Sequence, residues 1–365
     1  MVAAAAPAWT RDRIAPLALL AVTIALLGYT AATTNRDEKF WADQFFNGLT
    51  IGSVYALIAL GYTMVYGVLR MINFAHGEIF MVGAFAGWIV LKDVFGGSDM
   101  SDALIAPAIL VAMLVAAVAS GSAIIAIERI AYRPLRHAPR LAPLISAIGV
   151  SIFLQNLFLR LTSGRVEVYP RIFPQGPGES IDIIVTDLQY IQIFLMGSSL
   201  VMMLALYGFV QRTRAGTAIR AVAEDRDVAA LMGVNANRVI VLTFVVGAAL
   251  AGVAGVMYGL WLLSIKGTMG FLPGIKAFTA AVLGGIGNIP GAVLGGLLIG
   301  LAETIGREWL NEIYPETLPL VLPWFFPDEL GLGNQWKDVV AFFVLIGALL
   351  FRPTGILGEL VAKRA

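Results

Sequence analysis

The sequence predicts an all-α polytopic membrane protein, and three observations carry that prediction. Hydrophobic residues make up 59% of the 365-residue chain and charged residues only 13%, about half of the roughly 25% charge usual in soluble domains. The mean hydropathy is +0.83. About ten stretches (eight to ten) are long and apolar enough to cross a hydrocarbon core of about 30 Å, which takes some 20 helical residues. This composition excludes a disordered chain, a nucleic-acid binder and an ordinary cytosolic enzyme. The expected architecture is a Gly-rich helix bundle containing broken or short helices, with both termini cytoplasmic.

The first stretch, residues 14–30, follows Arg11 and Arg13. A cleaved signal peptide competes for it, since the leading segment is basic and Tyr29, Thr30, Ala31 and Ala32 end it with small residues. Pro7 and Trp9 fit a signal poorly and favour a retained span. The others are 45–69, 77–95, 103–127, 141–160, 190–211, 239–264, 271–283, 291–305 and 337–351. Residues 271–283 are too few to cross fully and predict a re-entrant or broken helix, tolerable only where protein or water covers its ends.

Orientation follows from the basic loops. Arg129, Arg133, Arg136 and Arg140 share one loop, and Arg212, Arg214, Arg220, Arg226 and Arg238 share another. Arg352, Lys363 and Arg364 close the tail, so all three groups are expected inside. Two outer segments, 162–189 and 307–336, are long enough to carry structure. The first holds the β-prone run Ile181, Asp182, Ile183, Ile184 and Val185; the second holds Trp309, Trp324 and Trp336, suited to an interfacial belt. Each is either a connecting loop or a docking surface for an external partner.

The 39 glycines concentrate inside apolar stretches. Gly83 and Gly87, Gly255 and Gly259, Gly291 and Gly295, and Gly296 and Gly300 each sit four apart, a spacing that lets helix backbones approach closely in lipid.

No cysteine occurs, and neither His76 nor His137 has a second ligand at metal spacing, so no catalytic group, metal site or bound cofactor is expected on this chain. No Gly-Lys dipeptide exists, which excludes a Walker A loop. Asn73, His76 and Glu78 crowd the junction between two spans, as a capped turn or as a gate or subunit interface. Gln155 and Asn156 lie within an apolar span, as helix glue or as a pathway lining. The hairpin 283–291, which contains Asn288, echoes 68–77 through Val68, Leu69, Ile72 and Gly77 against Val282, Leu283, Ile286 and Gly291. Interrupted segments in both halves hint at a repeat-built pathway near the midplane. Lys276 and Glu303 pair only if their spans are neighbours.

Residues 212–238 form the most informative polar segment. Ile219, Val222, Ala223, Ala230 and Leu231 make an apolar stripe, Arg220, Glu224, Asp225 and Asp227 decorate the rest, and Gly233 stops the helix. Mixed charge and an Ala-rich face favour docking on a cytoplasmic partner over lying in lipid.

These residues also carry a family resemblance. The run from Asn47 to Gly67, NGLTIGSVYALIALGYTMVYG, then INFAHGE at 72–78 and SAIGVSIFLQN at 146–156, resemble the LivH-type permease of branched-chain amino acid ABC importers. So do Ala223, Glu224 and Asp225, then LMGVN at 231–235 and FTAAVLGGIGNIPG at 278–291. The resemblance covers 45–357, and implies a permease domain over 41–357, preceded by a tail and extra span (1–40) and followed by a short tail (358–365). It implies a second, LivM-like permease, two cytoplasmic LivG- and LivF-like subunits that bind ATP and Mg, a periplasmic amino-acid-binding protein, and a place in the bacterial inner membrane. It also implies that Arg220, Glu224, Asp225 and Gly233 lie in the segment that couples to the ATPase. The span before Phe40 and an outer insertion at 314–334 depart from the family pattern. Urea and short-amide permeases share the regions around Asn73 and Asn288, whereas the 146–156 match favours amino acids. An intramembrane enzyme lacks any nucleophile or metal constellation, and a passive channel would leave the docking helix without a role.

Overall fold

A computed structural model describes residues 37–313, apart from 136–137, 140, 174–179 and 184–185, together with part of 338–358. The predicted span at 14–30 lies outside the described residues, as does most of 337–351.

The central element is α1 (Glu38–Leu69), 32 residues long and so about 48 Å from end to end. It is buried on all sides through Thr50–Val65, save Ile51, as its almost unbroken apolar sequence demands. It stops at Arg70, which adopts the left-handed conformation (φ 51°) and donates its N–H to Tyr66 O. After a short turn, α2 (His76–Ile89) continues into a π turn over Val90–Val94. Helix α3 (Asp102–Ile127) likewise runs into a π turn, Glu128–Tyr132, and a 3₁₀ turn, Arg133–Leu135. Then come α4 (Leu141–Leu161), α5 (Tyr190–Arg212), α6 (Arg214–Glu224), α7 (Arg226–Leu231), α8 (Ala236–Leu262), α9 (Phe271–Gly284) and α10 (Ile289–Ile313). Among the described residues six helices are long and apolar enough to cross a membrane: α1, α3 with its continuation, α4, α5, α8 and α10.

The bundle has an inside and an outside. Helices α1, α8 and α10 are mostly buried, whereas α3, α4 and α5 turn most of their apolar surface outward. Leu110, Leu114, Val118, Ile152, Phe153, Val201 and Leu204 are all exposed. In water such a surface would be untenable; in lipid it has no cost.

The glycine spacing is used where expected. Helix α10 crosses α1 with Gly296 against Ala56 and Gly300 against Gly52; a Cβ on Gly296 would lie 2.5 Å from Ala56 Cα. Gly83 of α2 meets Gly252 of α8, and Gly295 meets the Ala280 carbonyl of α9. Backbones approach this closely only without side chains between them.

Helix α9 has 14 residues, about 21 Å, short of the roughly 30 Å hydrocarbon core. Protein covers both ends: Gly270 packs on Gly77, and Gly285 on Gly358. The β-prone run forms strand β2 (Ser180–Ile183), paired antiparallel with β3 (Thr186–Gln189). Earlier in the same segment β1 (Glu167–Val168) pairs with β4 (Ser264–Ile265). Tyr169 then inserts between α2 and α8 beside Gly87 and Gly259, and burial holds its phenol well above the usual range.

Two expectations need revision. The span predicted over 291–305 belongs to a longer helix, because α10 stays helical to Ile313; no proline or glycine interrupts 307–313. The amphipathic segment is two helices, broken at Asp225, whose extended backbone (φ −151°) cannot continue α6.

Candidate functional site

Three polar constellations stand out, and the first is built around the turn between α1 and α2. Asn73 closes that turn: its Oδ1 accepts from Ala75 N at 3.1 Å and from Tyr132 OH at 2.6 Å. His76 packs edge-on against Tyr62, ring centroids 4.7 Å apart, in space left by Gly61. Glu78 is fully buried; its Oε1 accepts from Gln155 Nε2 at 2.7 Å and Ser151 Oγ at 3.1 Å. Its Oε2, together with Asn73 Nδ2 and His76 Nε2, has no hydrogen-bond partner among the described residues. The glutamate thus ties α4, otherwise largely exposed, to the bundle, together with Ser146 Oγ, which donates to Ala131 O at 3.2 Å.

Of the sequence candidates, Asn73, His76, Glu78 and Gln155 come together here. Asn156 does not: it faces outward and donates to its own Ile152 carbonyl. Successive helical residues point about 100° apart, so Gln155 and Asn156 cannot share a face, whereas Ser151 and Gln155, four apart, do. Asn288 is elsewhere too. Its Oδ1 accepts from Gly291 N at 2.9 Å, capping α10, while its Nδ2 donates to Leu357 O at 3.0 Å.

The second constellation is a buried ion cluster joining α1, α9, α10 and the C-terminal stretch. Lys276 Nζ lies 2.8 Å from Glu303 Oε1 and 2.5 Å from Asp338 Oδ1. Tyr55 OH donates to Glu303 Oε2 at 2.9 Å. The Lys276 and Glu303 side chains are each 5% exposed, so neither charge reaches water. Spacing alone gave no hint of Tyr55 or Asp338, because their contacts span more than 200 and 60 residues of chain respectively.

The third is the polar segment between α5 and α8. Thr213 caps α6 by accepting from Gly216 N at 3.0 Å. Ile219 and Val222 bury the inner face of α6 against the bundle. Arg220, although exposed, turns back to donate to Val210 O at the end of α5 and so ties α6 down. Asp225 caps α7, accepting from Asp227 N at 2.9 Å and Val228 N at 3.0 Å. Gly233, with φ 85°, ends α7 in a Schellman turn: its N–H bonds Ala230 O and the Val234 N–H bonds Ala229 O. The result is a rigid knuckle projecting Val228, Leu231 and Met232, which are 54%, 87% and 80% exposed. Leu231 therefore does not share the buried stripe of Ile219 and Val222, because the break at Asp225 turns α7 away. Glu224 and Asp225 are exposed beside the knuckle.

A groove of about 280 Å³ also runs along the flank, between Leu49, Ser53 and Ala56 of α1, Ser199 and Met203 of α5, and Leu297 of α10. It is almost wholly apolar, Ser199 Oγ being occupied with Ser53 O at 2.8 Å.

Comparison with known proteins decides what this scaffold is. The profile of the family described as branched-chain amino acid transport system / permease component matches residues 44–349. The high-affinity branched-chain amino acid transport system permease protein BraD of Pseudomonas aeruginosa is 46% identical over 323 residues, 87% of this chain and 96% of the relative. The chain belongs to the branched-chain amino acid permease family. The LivH permease proteins of Salmonella typhimurium and Escherichia coli K12 are 45% and 44% identical, each over 88% of this chain and 96% of theirs. All the polar residues described above, from Tyr55 to Asp338, fall within the family match, whereas residues 1–43 precede it. Members of this family are permease components of branched-chain amino acid transport systems, and the multi-pass helical bundle here is of that kind.

Proposed function

We propose that this chain is one permease subunit of an ATP-driven importer of branched-chain or related apolar amino acids in a bacterial inner membrane. A second, LivM-like permease completes the pathway, two LivG- and LivF-like subunits hydrolyse ATP with Mg on the cytoplasmic side, and a periplasmic binding protein delivers the amino acid. The chain itself then binds neither nucleotide nor metal. Urea and short amides are not favoured as cargo, since the relatives at 44–46% identity are named for branched-chain amino acids.

The observation that carries this reading is the knuckle of α7. Three apolar side chains held outward on a capped, Schellman-terminated turn suit insertion into a partner's groove, as exposed apolar patches mark contact sites. Arg220 fixes the base of this device, Glu224 and Asp225 flank it, and Gly233 sets its end. A cargo can shift the conformational equilibrium only by its differential affinity for the two states. The larger bias comes from the ATPases, and α6, seated on α1, α5 and α8, passes it to the spans. The apolar groove of α1, α5 and α10 supplies one wall of the pathway, and its lining suits a branched side chain. The Asn73–His76–Glu78–Gln155 cluster serves as the pivot on which α4 moves during gating.

Labelled leucine uptake by cells expressing the whole transporter tests this. Glu224→Lys and Leu231→Asp should abolish uptake while the membrane level of the chain is unchanged. Full transport in the Leu231→Asp variant would refute the docking assignment.

A further inference from the structure

A cleft of about 560 Å³ opens between the π and 3₁₀ turns that follow α3 and the first turns of α8, a volume within the roughly 300–1,000 Å³ of small-molecule pockets. Its rim carries Arg129, Arg133 and Arg238 with Asn235 and Asn237. All three arginines are exposed, and among the described residues no carboxylate pairs with them. Glu128 also reaches the rim, but it is buried and already has a partner. Among the described residues the rim thus carries three exposed cations against one buried carboxylate. Guanidinium groups bind phosphate in a forked geometry, and the N-terminus of α8, 27 residues long, adds its positive dipole at the same place.

The wall below the rim is apolar. Val241, Leu242 and Val245 are half-exposed and line the cleft; Val245 lies about 10 Å further along α8 than Arg238. Gly121 of α3 lies opposite Val245, where a Cβ would meet Val245 Cγ1 at 3.5 Å, so α3 and α8 close on each other at the foot of the cleft. A soluble anion would satisfy the arginines and leave this wall wetted. A molecule with a phosphate head and a hydrocarbon tail satisfies both.

We infer that this cleft binds an anionic phospholipid, the phosphate held by Arg129, Arg133 and Arg238 and an acyl chain lying along Val241 and Val245. The site adjoins the α7–α8 turn, so a lipid seated there braces the base of the knuckle. It rests on the membrane placement of the family and not on the coupling role of α7; either can fail alone.

The test uses the full chain purified in a neutral detergent, titrated with fluorescent phosphatidylglycerol or phosphatidylcholine. Saturable, salt-sensitive binding of phosphatidylglycerol alone is expected. Arg133→Gln should weaken it about fivefold and Arg133→Gln/Arg238→Gln about twenty-fivefold, the fivefold step corresponding to about 1 kcal/mol per basic residue near a membrane surface. Where an arginine variant does not yield monodisperse protein, Val245→Trp provides a second reading, because it fills the apolar wall without altering charge and should also weaken the lipid. Equal binding of the two lipids, or unaltered binding in these variants, overturns the assignment. So does displacement by free glycerol phosphate, which would mark a soluble-anion site. Loss of ATPase co-purification with lipid binding intact would mark a protein contact and overturn it equally.

Discussion

Lys276 is the cation between two carboxylates, Glu303 and Asp338, inside the bundle, and that arrangement predicts an unusual reversal of sign. At 2.8 Å and an effective dielectric constant of about 20, the direct attraction of Lys276 to Glu303 is about 6 kcal/mol. Much of it offsets the desolvation of both groups. Lys276→Met removes the cation and leaves Glu303 charged and buried, a change that typically costs about 3–5 kcal/mol. Glu303→Gln in the natural protein leaves Lys276 with Asp338, which is 26% exposed, and loses only charged hydrogen bonds, about 1.5–3 kcal/mol. In the Lys276→Met background the same Glu303→Gln change removes the stranded charge, so it should stabilise. The assay is unfolding of the detergent-purified chain, followed by tryptophan fluorescence, across the four members of the cycle. Glu303→Gln lowering stability by the same amount in both backgrounds would refute the buried ion cluster.

Other expectations follow from single contacts. Gln155→Leu deprives fully buried Glu78 of a 2.7 Å donor and should cost about 1.5–3 kcal/mol, read by the same unfolding assay; no change would refute the contact. Gly296→Val brings a Cβ to 2.5 Å from Ala56 Cα, forces α1 and α10 apart, and should lower stability by about 1–3 kcal/mol. Gly149→Ala, with nothing within 4 Å of its Cβ, is the control and should be neutral or slightly stabilising, as judged by the yield of folded protein. Leu231→Asp is exposed enough to leave unfolding within about 0.5 kcal/mol of the natural chain, while co-purification of the ATPase subunits drops.

What the sequence disclosed, and what it concealed, follows from the range of each interaction. Hydropathy is local, so α1 to α5 and α8 to α10 were visible, including the shortness of α9, whereas α6 and α7 read as one helix. The Gly-x-x-x-Gly spacing named the close-packed faces correctly, because in lipid small residues are the main means of close approach. Strand β2 was legible in Ile181 and Ile183; its partner β3 was not. The family itself was legible in the motifs around Asn73, Gln155 and Asn288. Which face each polar residue takes was not. Gln155 and Asn156 are adjacent and equally polar, yet only one meets Glu78; the clue available was Ser151, one turn earlier. Leu231 fitted the stripe of Ile219 until Asp225 broke the helix, and Asp225 followed by Arg-Asp was itself an N-cap signal. Asn288 read as a pathway residue, although its spacing to Gly291 is that of a cap. Tyr132 and Asp338 complete their clusters across chain separations that no window of sequence spans.

The most direct measurement is ATP-dependent accumulation of labelled leucine in vesicles reconstituted with this chain, its second permease, the ATPases and the binding protein. Accumulation is expected only with every component present and ATP hydrolysed, and it should vanish in the Leu231→Asp variant. Leucine equilibrating through vesicles that contain this chain alone would contradict a conduit half driven from the α6–α7 segment.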